Sequence, residues 1–201
     1  MVELRRSTRN ANKNSIPQSI DESKDKVLGS RKSKVTKPAK KVTKIETKSK
    51  MAEIQVGDRI PDLTLLDEDD NEINLVEASK KTKYVVIFAY PKASTPGCTR
   101  QVCGFQKNHK ELIELDTTVF GLSADLPKSQ KNFIVKQGLE YHLLSDPNKE
   151  LIGPLGAKKE PTGIKRSHWI FEDGVLKIKK IQISPEDSFN GALEDIQALK
   201  A

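Results

Sequence analysis

The run Tyr84-Val85-Val86-Ile87-Phe88-Ala89 has no charged residue and no helix-type spacing, and it gives out at Pro91. A short apolar run rich in β-branched and aromatic side chains reads as a buried strand. Beyond it the chain must turn. Pro91 lacks the N–H that a strand needs, Pro96 and Gly97 bend the backbone, and Thr99 onward reads as helix. A buried strand that feeds a helix through a short loop is a unit of α/β architecture. The same stretch holds the only two cysteines of the chain, Cys98 and Cys103. Cys98 falls at or within the first helical turn, where unpaired amide N–H groups and the positive end of the helix dipole favour a thiolate. A second thiol within local reach can then capture an oxidised sulfur. The pair points to redox chemistry.

Other uses of two cysteines fit less well. A zinc site normally draws on four ligands, with pairs separated by two to four residues. Here a second cysteine pair is lacking, and His109, His142 and His168 are scattered. Buried structural thiols pack as small hydrophobes, for which a Pro- and Gly-rich turn is a poor setting. A static disulfide is opposed by geometry. Residues five apart on a regular helix have Cα atoms roughly 8–9 Å apart, whereas a disulfide needs them within about 7 Å. The bond can form only if the start of the helix unwinds, which suits a transient bond.

The pattern Pro91-x-x-x-Thr95-x-x-Cys98 resembles the active-site signature of the peroxiredoxins. Thr99-Arg100-Gln101-Val102-Cys103 narrows the resemblance to the bacterioferritin comigratory protein, or peroxiredoxin Q, subgroup. It extends over about residues 53–200, through Gly57-Asp58-x-Ile60-Pro61-Asp62, Gly121-Leu122-Ser123-Ala124-Asp125, Leu143-Leu144-Ser145-Asp146-Pro147 and Arg166-Ser167-His168-Trp169-Ile170-Phe171. The wording of the site, with the basic leader before it, is most similar to the nuclear thioredoxin peroxidases of fungi. Ala93 and Val102 depart from a common bacterial form, at positions that carry no chemistry. The resemblance implies an α/β thioredoxin-like fold with a central mixed sheet flanked by helices. It implies a peroxidase in which Cys98 attacks the hydroperoxide, Cys103 resolves the product as an intramolecular disulfide, and thioredoxin returns both to thiols. No metal, flavin or nucleotide cofactor is implied. A resolving cysteine so close by removes the need for a partner subunit, and a monomer is expected.

Peroxide cleavage develops charge on both oxygens, so preorganised donors act most strongly there. The Thr95 hydroxyl can turn back to donate to the peroxide or accept from it, and amides near Gly97 and Cys98 can add donors. Thr95 can equally serve as a plain helix cap. Pro91 would shape the pocket and exclude water, or simply end the strand. The resemblance assigns the cation beside the sulfur to Arg166, and arginine suits the task because it stays charged and offers several fixed donors. Arg100, within a turn of Cys98, competes for that place. The three histidines are expected at the surface or in packing, since an ionised thiolate needs no general base.

Residues 1–50 hold 15 Lys and Arg against 5 Asp and Glu, a net of +10, while residues 51–201 hold 20 against 23, a net of −3. The leader has no aromatic residue and few apolar ones, and cannot bury enough surface to offset chain entropy. A disordered basic tail over residues 1–52 and one domain over 53–201 are therefore expected. Leu4-Arg5-Arg6-Ser7-Thr8-Arg9, Arg31-Lys32-Ser33-Lys34 and Lys37-Pro38-Ala39-Lys40-Lys41 read as nuclear-import or nucleic-acid-contact runs. A solubilising tail without an address, or a mitochondrial presequence, are the alternatives. Against the presequence, Val2, Leu4, Ile16 and Ile20 make no apolar helix face and Pro17 interrupts it. A nuclear location is expected, with weak, sequence-independent, salt-sensitive DNA contact or an import receptor as the tail's partner. No apolar stretch approaches a membrane span. The rival functions are a disulfide oxidoreductase acting on proteins, whose usual motif has two residues between its cysteines, and a chromatin-bound oxidant sensor without turnover.

Along the domain the pattern alternates. It suggests a hairpin (Asp62–Leu66, Glu72–Leu75), a central strand at 84–89, a helix from about Gly97 to Leu115, and a strand at Thr118–Ala124. A helix at Leu126–Gln137, a strand at Tyr141–Ser145 and a helical turn at Asn148–Ile152 follow. Asp173-Gly174 signals a tight hairpin between Ser167–Glu172 and Val175–Ile181. Ser184 and Pro185 open a last helix to about Leu199.

Overall fold

The computed structural model describes residues 52–201; the basic tail expected over residues 1–52 lies almost wholly outside them. The elements in chain order are β1 (Thr64–Leu66), β2 (Glu72–Asn74), α1 (Leu75–Ala78), β3 (Tyr84–Ala89), α2 (Pro96–Glu114) and β4 (Thr117–Ser123). They continue with α3 (Pro127–Gln137), β5 (His142–Ser145), β6 (Lys158–Lys159), β7 (Gly163–Ile164), β8 (Ser167–Glu172), β9 (Val175–Ile181) and α4 (Pro185–Lys200). A seven-stranded sheet runs β2-β1-β5-β4-β3-β8-β9. β3, β4 and β5 are parallel, and the outer pairings are antiparallel, so the sheet is mixed.

The apolar run of β3 is buried at every position because it has a core on each face. Side chains alternate along a strand. Val85, Ile87 and Ala89 enter one core with Leu75, Trp169 and Leu151. Tyr84, Val86 and Phe88 enter the other, with Val102 and Phe105 of α2, Phe133 of α3 and Ala192 and Ile196 of α4. The three long helices thus share one face of the sheet. The other is covered by α1 and the irregular segment around residues 146–164, an asymmetry that periodicity did not show.

Local signals account for several boundaries. Asp173 (φ 48°) and Gly174 (φ 75°) are both left-handed, as the two-residue β8–β9 turn requires. Ser184 accepts from the Asp187 N–H at 3.0 Å, and Pro185 opens α4. The expected helical turn at Asn148–Ile152 is instead a series of turns. The buried Asp146 carboxylate accepts from the amides of Glu150, Leu151 and Ile152 at 2.7, 2.9 and 2.8 Å. Lys149 has a left-handed φ of 57°, which interrupts a right-handed helical turn across this stretch. The β6–β7 hairpin carried no recognisable signal.

The acidic turn between β1 and β2 is anchored to β5. Glu68 lies 3.1 Å from His142 Nδ1 and also accepts from the Leu143 N–H, while Asp67 lies 3.6 Å from the same ring nitrogen. The hydrogen bond to Glu68, with the Asp67 charge, raises the His142 pKa above its ordinary 6.5. Burial opposes the Glu68 charge, but His142 and two amides outweigh it and lower that carboxyl's pKa. Charged His142 therefore stabilises the fold fully below about pH 6.5, and this is lost as pH rises through the higher folded value. His142→Gln should lower the melting temperature at pH 6 and converge with the unsubstituted protein by pH 9. Because His142 is half exposed, the effect should stay below about 1 kcal/mol; an equal loss at both pH values would refute this.

Candidate active site

The register of the sheet builds the site. β8 pairs antiparallel with β3, and Ala89 faces Ser167. Arg166 thus comes opposite Tyr90, at the end of β3 where the chain turns toward Cys98. Tyr90 makes the last inter-strand bond, donating its N–H to Leu122 O at 3.0 Å. Pro91 has no N–H to continue the ladder. It lies exposed, so shielding of the sulfur falls largely to the buried cluster that contains Cys98, Tyr90, Val102 and Phe105. The loop is tied to the end of β4 through the Ala93 N–H, which donates to Asp125 Oδ2 at 2.8 Å; Ser123 Oγ donates to the same oxygen at 2.9 Å.

Thr95 occupies the N-cap of α2, and its carbonyl accepts from the Thr99 N–H at 2.8 Å. Its hydroxyl does not cap the helix. It donates to Lys92 O at 3.0 Å, which leaves the oxygen's lone pairs available to an incoming O–H. Pro96 is the first helical residue, and the amides of Gly97 and Cys98 belong to the first turn, where N–H groups have no intrahelical acceptor.

Cys98 is buried to 1% exposure. Arg166 Nη2 donates to its Sγ at 3.5 Å. A side chain at residue 97 would crowd that guanidinium, since a Cβ there would lie 3.1 Å from Nη2. Arg166 Nη1 also donates to Gln101 Oε1, and Gln101 Nε2 donates to Ser188 Oγ of α4 at 2.8 Å. Gln101 and Ser188 are fully buried. The arginine is therefore held from behind by buried hydrogen bonds, with its charge fixed beside the sulfur. Arg100 points elsewhere. Its Nε pairs with Glu186 Oε1 at 3.1 Å, with both side chains more than half exposed.

Cys103 is partly buried and its Sγ donates to Gln137 Oε1 at 3.5 Å, on the side of α3. Both thiols are free and share one unbroken helix. Gly104 admits a close neighbour, for a Cβ there would lie 2.1 Å from the Phe189 ring. Each histidine is engaged away from Cys98. His109 lies 3.7 Å from Glu140, His142 binds the acidic turn, and buried His168 lies 3.6 Å from Asp195.

Sequence reasoning missed Gln101, Ser188 and Asp125. Gln101 had one signal, its place three residues after Cys98 on the same helix face. Asp125 stood in the Gly121–Asp125 segment of the family resemblance without a role of its own, and Ser188 had no signal, because its role depends on α4 reaching the site.

The AhpC/TSA family profile matches residues 56–179. Peroxiredoxin bcp1 of Schizosaccharomyces pombe is 56% identical over 135 residues, which is 66% of this chain and 69% of that protein. Peroxiredoxin Bcp of Escherichia coli is 33% identical over 128 residues, or 64% and 78% of the two chains. Among solved structures, the bacterioferritin comigratory protein of Xanthomonas campestris, described for its alkyl peroxide reduction activity, superposes with a TM-score of 0.68 at 26% identity. It covers 73% of this chain and 100% of that one. Peroxidoxin BcpB of Mycobacterium tuberculosis gives 0.69 at 26% identity, covering 74% and 99%. A reduced cysteine in the first turn of a helix, on a fold shared throughout this group, leaves one placement: the chain belongs to the AhpC/TSA family and is a peroxiredoxin, a peroxidase of the bacterioferritin comigratory protein and peroxiredoxin Q branch.

Proposed function

We propose that the chain reduces hydrogen peroxide and organic hydroperoxides through a Cys98–Cys103 cycle. The observation that carries this is the Cys98 sulfur, buried in the first turn of α2 with Arg166 Nη2 at 3.5 Å. The thiolate attacks one peroxide oxygen, the O–O bond breaks, and the other oxygen leaves as hydroxide or alkoxide and takes up a proton. Cys98 is then a sulfenic acid. Arg166 and the amides of Gly97 and Cys98 stabilise the oxygens as charge moves onto them. The Thr95 oxygen accepts the hydroperoxide O–H, and Pro91 with the neighbouring loop shapes the entrance. The Cys103 thiol then attacks the Cys98 sulfur, water leaves, and the disulfide forms. A dithiol, thioredoxin in our reading, reduces it by thiol–disulfide exchange. The test is NADPH consumption driven by peroxide in the presence of thioredoxin and its reductase; a rate no greater than without the protein would refute the cycle.

Resolution requires movement. An ideal helix keeps Cα atoms five residues apart at about 8–9 Å, beyond the reach of a disulfide. The first turns of α2 must open, roughly from Pro96 to Phe105. Amide exchange should therefore be faster at residues 97–105 in the disulfide form than in the reduced form, with 84–89 unchanged. Equal protection of that helix in both forms would exclude this route.

The protein acts as a monomer in this reading, and the basic leader directs it to the nucleus, with weak contact to DNA or to an import receptor. The support is the net charge of +10 over residues 1–50. Among the described residues, no helix is long and apolar enough to cross a membrane. Deleting residues 1–50 should leave peroxidase activity within about twofold while removing nuclear accumulation and salt-sensitive DNA retention. A truncated chain that still concentrates in nuclei would overturn the assignment.

A further inference from the structure

One stripe of α2, formed by Val102, Gln106 and His109, lies against the segment that joins α3 to β5. Gln106 Nε2 donates to Glu140 Oε2 at 2.9 Å, and the Glu140 N–H donates to Gln106 Oε1 at 2.9 Å. The His109 ring packs edge-on to Tyr141 with centroids 5.4 Å apart. On the other side of α2, Asn108 Nδ2 donates to Phe189 O at 3.1 Å. From Gln106 onward the helix is therefore held from two directions. Before Gln106, two hydrogen bonds tie α2 to the end of α3 and the segment after it: Cys103 Sγ to Gln137 Oε1 at 3.5 Å, and the Tyr141 hydroxyl to the Val102 carbonyl at 2.7 Å.

The second contact is unusual in placement. A carbonyl inside a helix already accepts from the amide four residues on, so Val102 O has two donors while α2 is intact. When the first turns open, the bond from the Gln106 amide is lost. The Tyr141 hydroxyl is then the remaining hydrogen-bond donor to the Val102 carbonyl, next to the resolving thiol. Tyr141 is buried at 5% exposure, so letting go strands its hydroxyl away from water, which opposes release. We propose that Tyr141 is a positioning residue that acts as a brake on resolution. It keeps Cys103 in the folded helix and so sets how often the Cys98 sulfenic acid meets a second peroxide before Cys103 reaches it. In that competing step one further peroxide oxygen is transferred to the sulfur, giving the sulfinic acid and water or an alcohol. The inference rests on the Cys98–Cys103 cycle proposed above.

The test mixes the reduced full-length protein with one equivalent of hydrogen peroxide and follows the fluorescence of Trp169, the only tryptophan. Intact mass, read in parallel, tracks sulfenic acid, disulfide and sulfinic acid at increasing peroxide under dithiothreitol turnover. Tyr141→Phe removes the hydroxyl and keeps the ring. Its attack rate should be unchanged, since the Cys98–Arg166 contact is untouched. Its resolution step should be about 3- to 10-fold faster, the span expected for one net hydrogen bond. The peroxide dose that converts half of Cys98 to sulfinic acid should rise by a similar factor. Gln137→Ala, which frees the Cys103 thiol without touching the core, should shift both quantities in the same direction by less. A purely structural tyrosine would change melting temperature and leave this partition unmoved. Resolution in Tyr141→Phe that is unchanged or slower overturns the brake. If the unsubstituted protein loses no 2 Da to an intramolecular disulfide, the cycle itself fails and the brake with it. A normal disulfide with an unmoved partition removes the brake alone.

Discussion

Cys98→Ser is expected to abolish peroxide reduction, with a loss of at least about 10⁴-fold in rate. A serine hydroxyl is not ionised near neutral pH, and it is a far weaker nucleophile toward oxygen than a thiolate. The burial of residue 98 and its contact with Arg166 would persist, so the loss reports chemistry and not unfolding. Cys103→Ser should behave differently. Its thiol lies away from Arg166, against Gln137, and enters only after the first bond has broken. The variant should consume about one equivalent of peroxide per chain and then stall as the sulfenic acid, passing to the sulfinic acid only where a second equivalent is supplied. Stopped-flow peroxide consumption with intact mass separates the two steps. A first turnover surviving in Cys98→Ser and lost in Cys103→Ser would reverse the assignment.

Arg166→Met should lower the second-order rate constant with hydrogen peroxide by about 10²- to 10³-fold, the range seen when one preorganised donor is removed from a developing charge. Methionine approximates the length of the stem and removes the charge and the donors to Cys98 Sγ and Gln101. Arg166→Lys should recover only part of the loss, because an ammonium cannot serve both acceptors with the planar fork of a guanidinium. Gln101→Leu tests the shell behind it. It leaves the charge but frees the guanidinium from its link to Ser188, and a fall of about tenfold is expected. Competition against a reference peroxidase reads all three. An Arg166→Met rate within threefold of the unsubstituted protein would mean that the helix terminus alone sustains the thiolate.

Much of this was legible in the residues because it is set within a few positions of chain. The apolar run at 84–89, the helix expected from about Gly97, the Asp173-Gly174 turn and the Ser184 cap each express a local backbone rule. Their elements appear at or within a residue or two of the expected bounds. Asn148–Ile152 failed for a reason of the same scale: Lys149 takes a left-handed φ of 57°, which breaks a helical turn. What Gly104 does, admitting the Phe189 ring, shows only once α4 is packed against α2.

The order of the strands governs the remainder. Nothing within a turn of Cys98 distinguishes Arg100 from Arg166 by charge alone. The choice follows from β8 pairing beside β3 with Ser167 opposite Ala89, which brings residue 166 to the mouth of the loop while Arg100 faces solvent and Glu186. In the same way α4 brings Ser188 to Gln101, and the α3–β5 segment brings Tyr141 to Val102. Such contacts span 39 to 87 positions, where no periodicity or capping rule operates. The sequence by itself determined the thiol pair, its helix and the chemistry open to it, because dihedral preference and dipole act locally. Tertiary structure decided which cation meets the sulfur, what holds that cation and what restrains the second thiol, because those depend on which buried faces find each other.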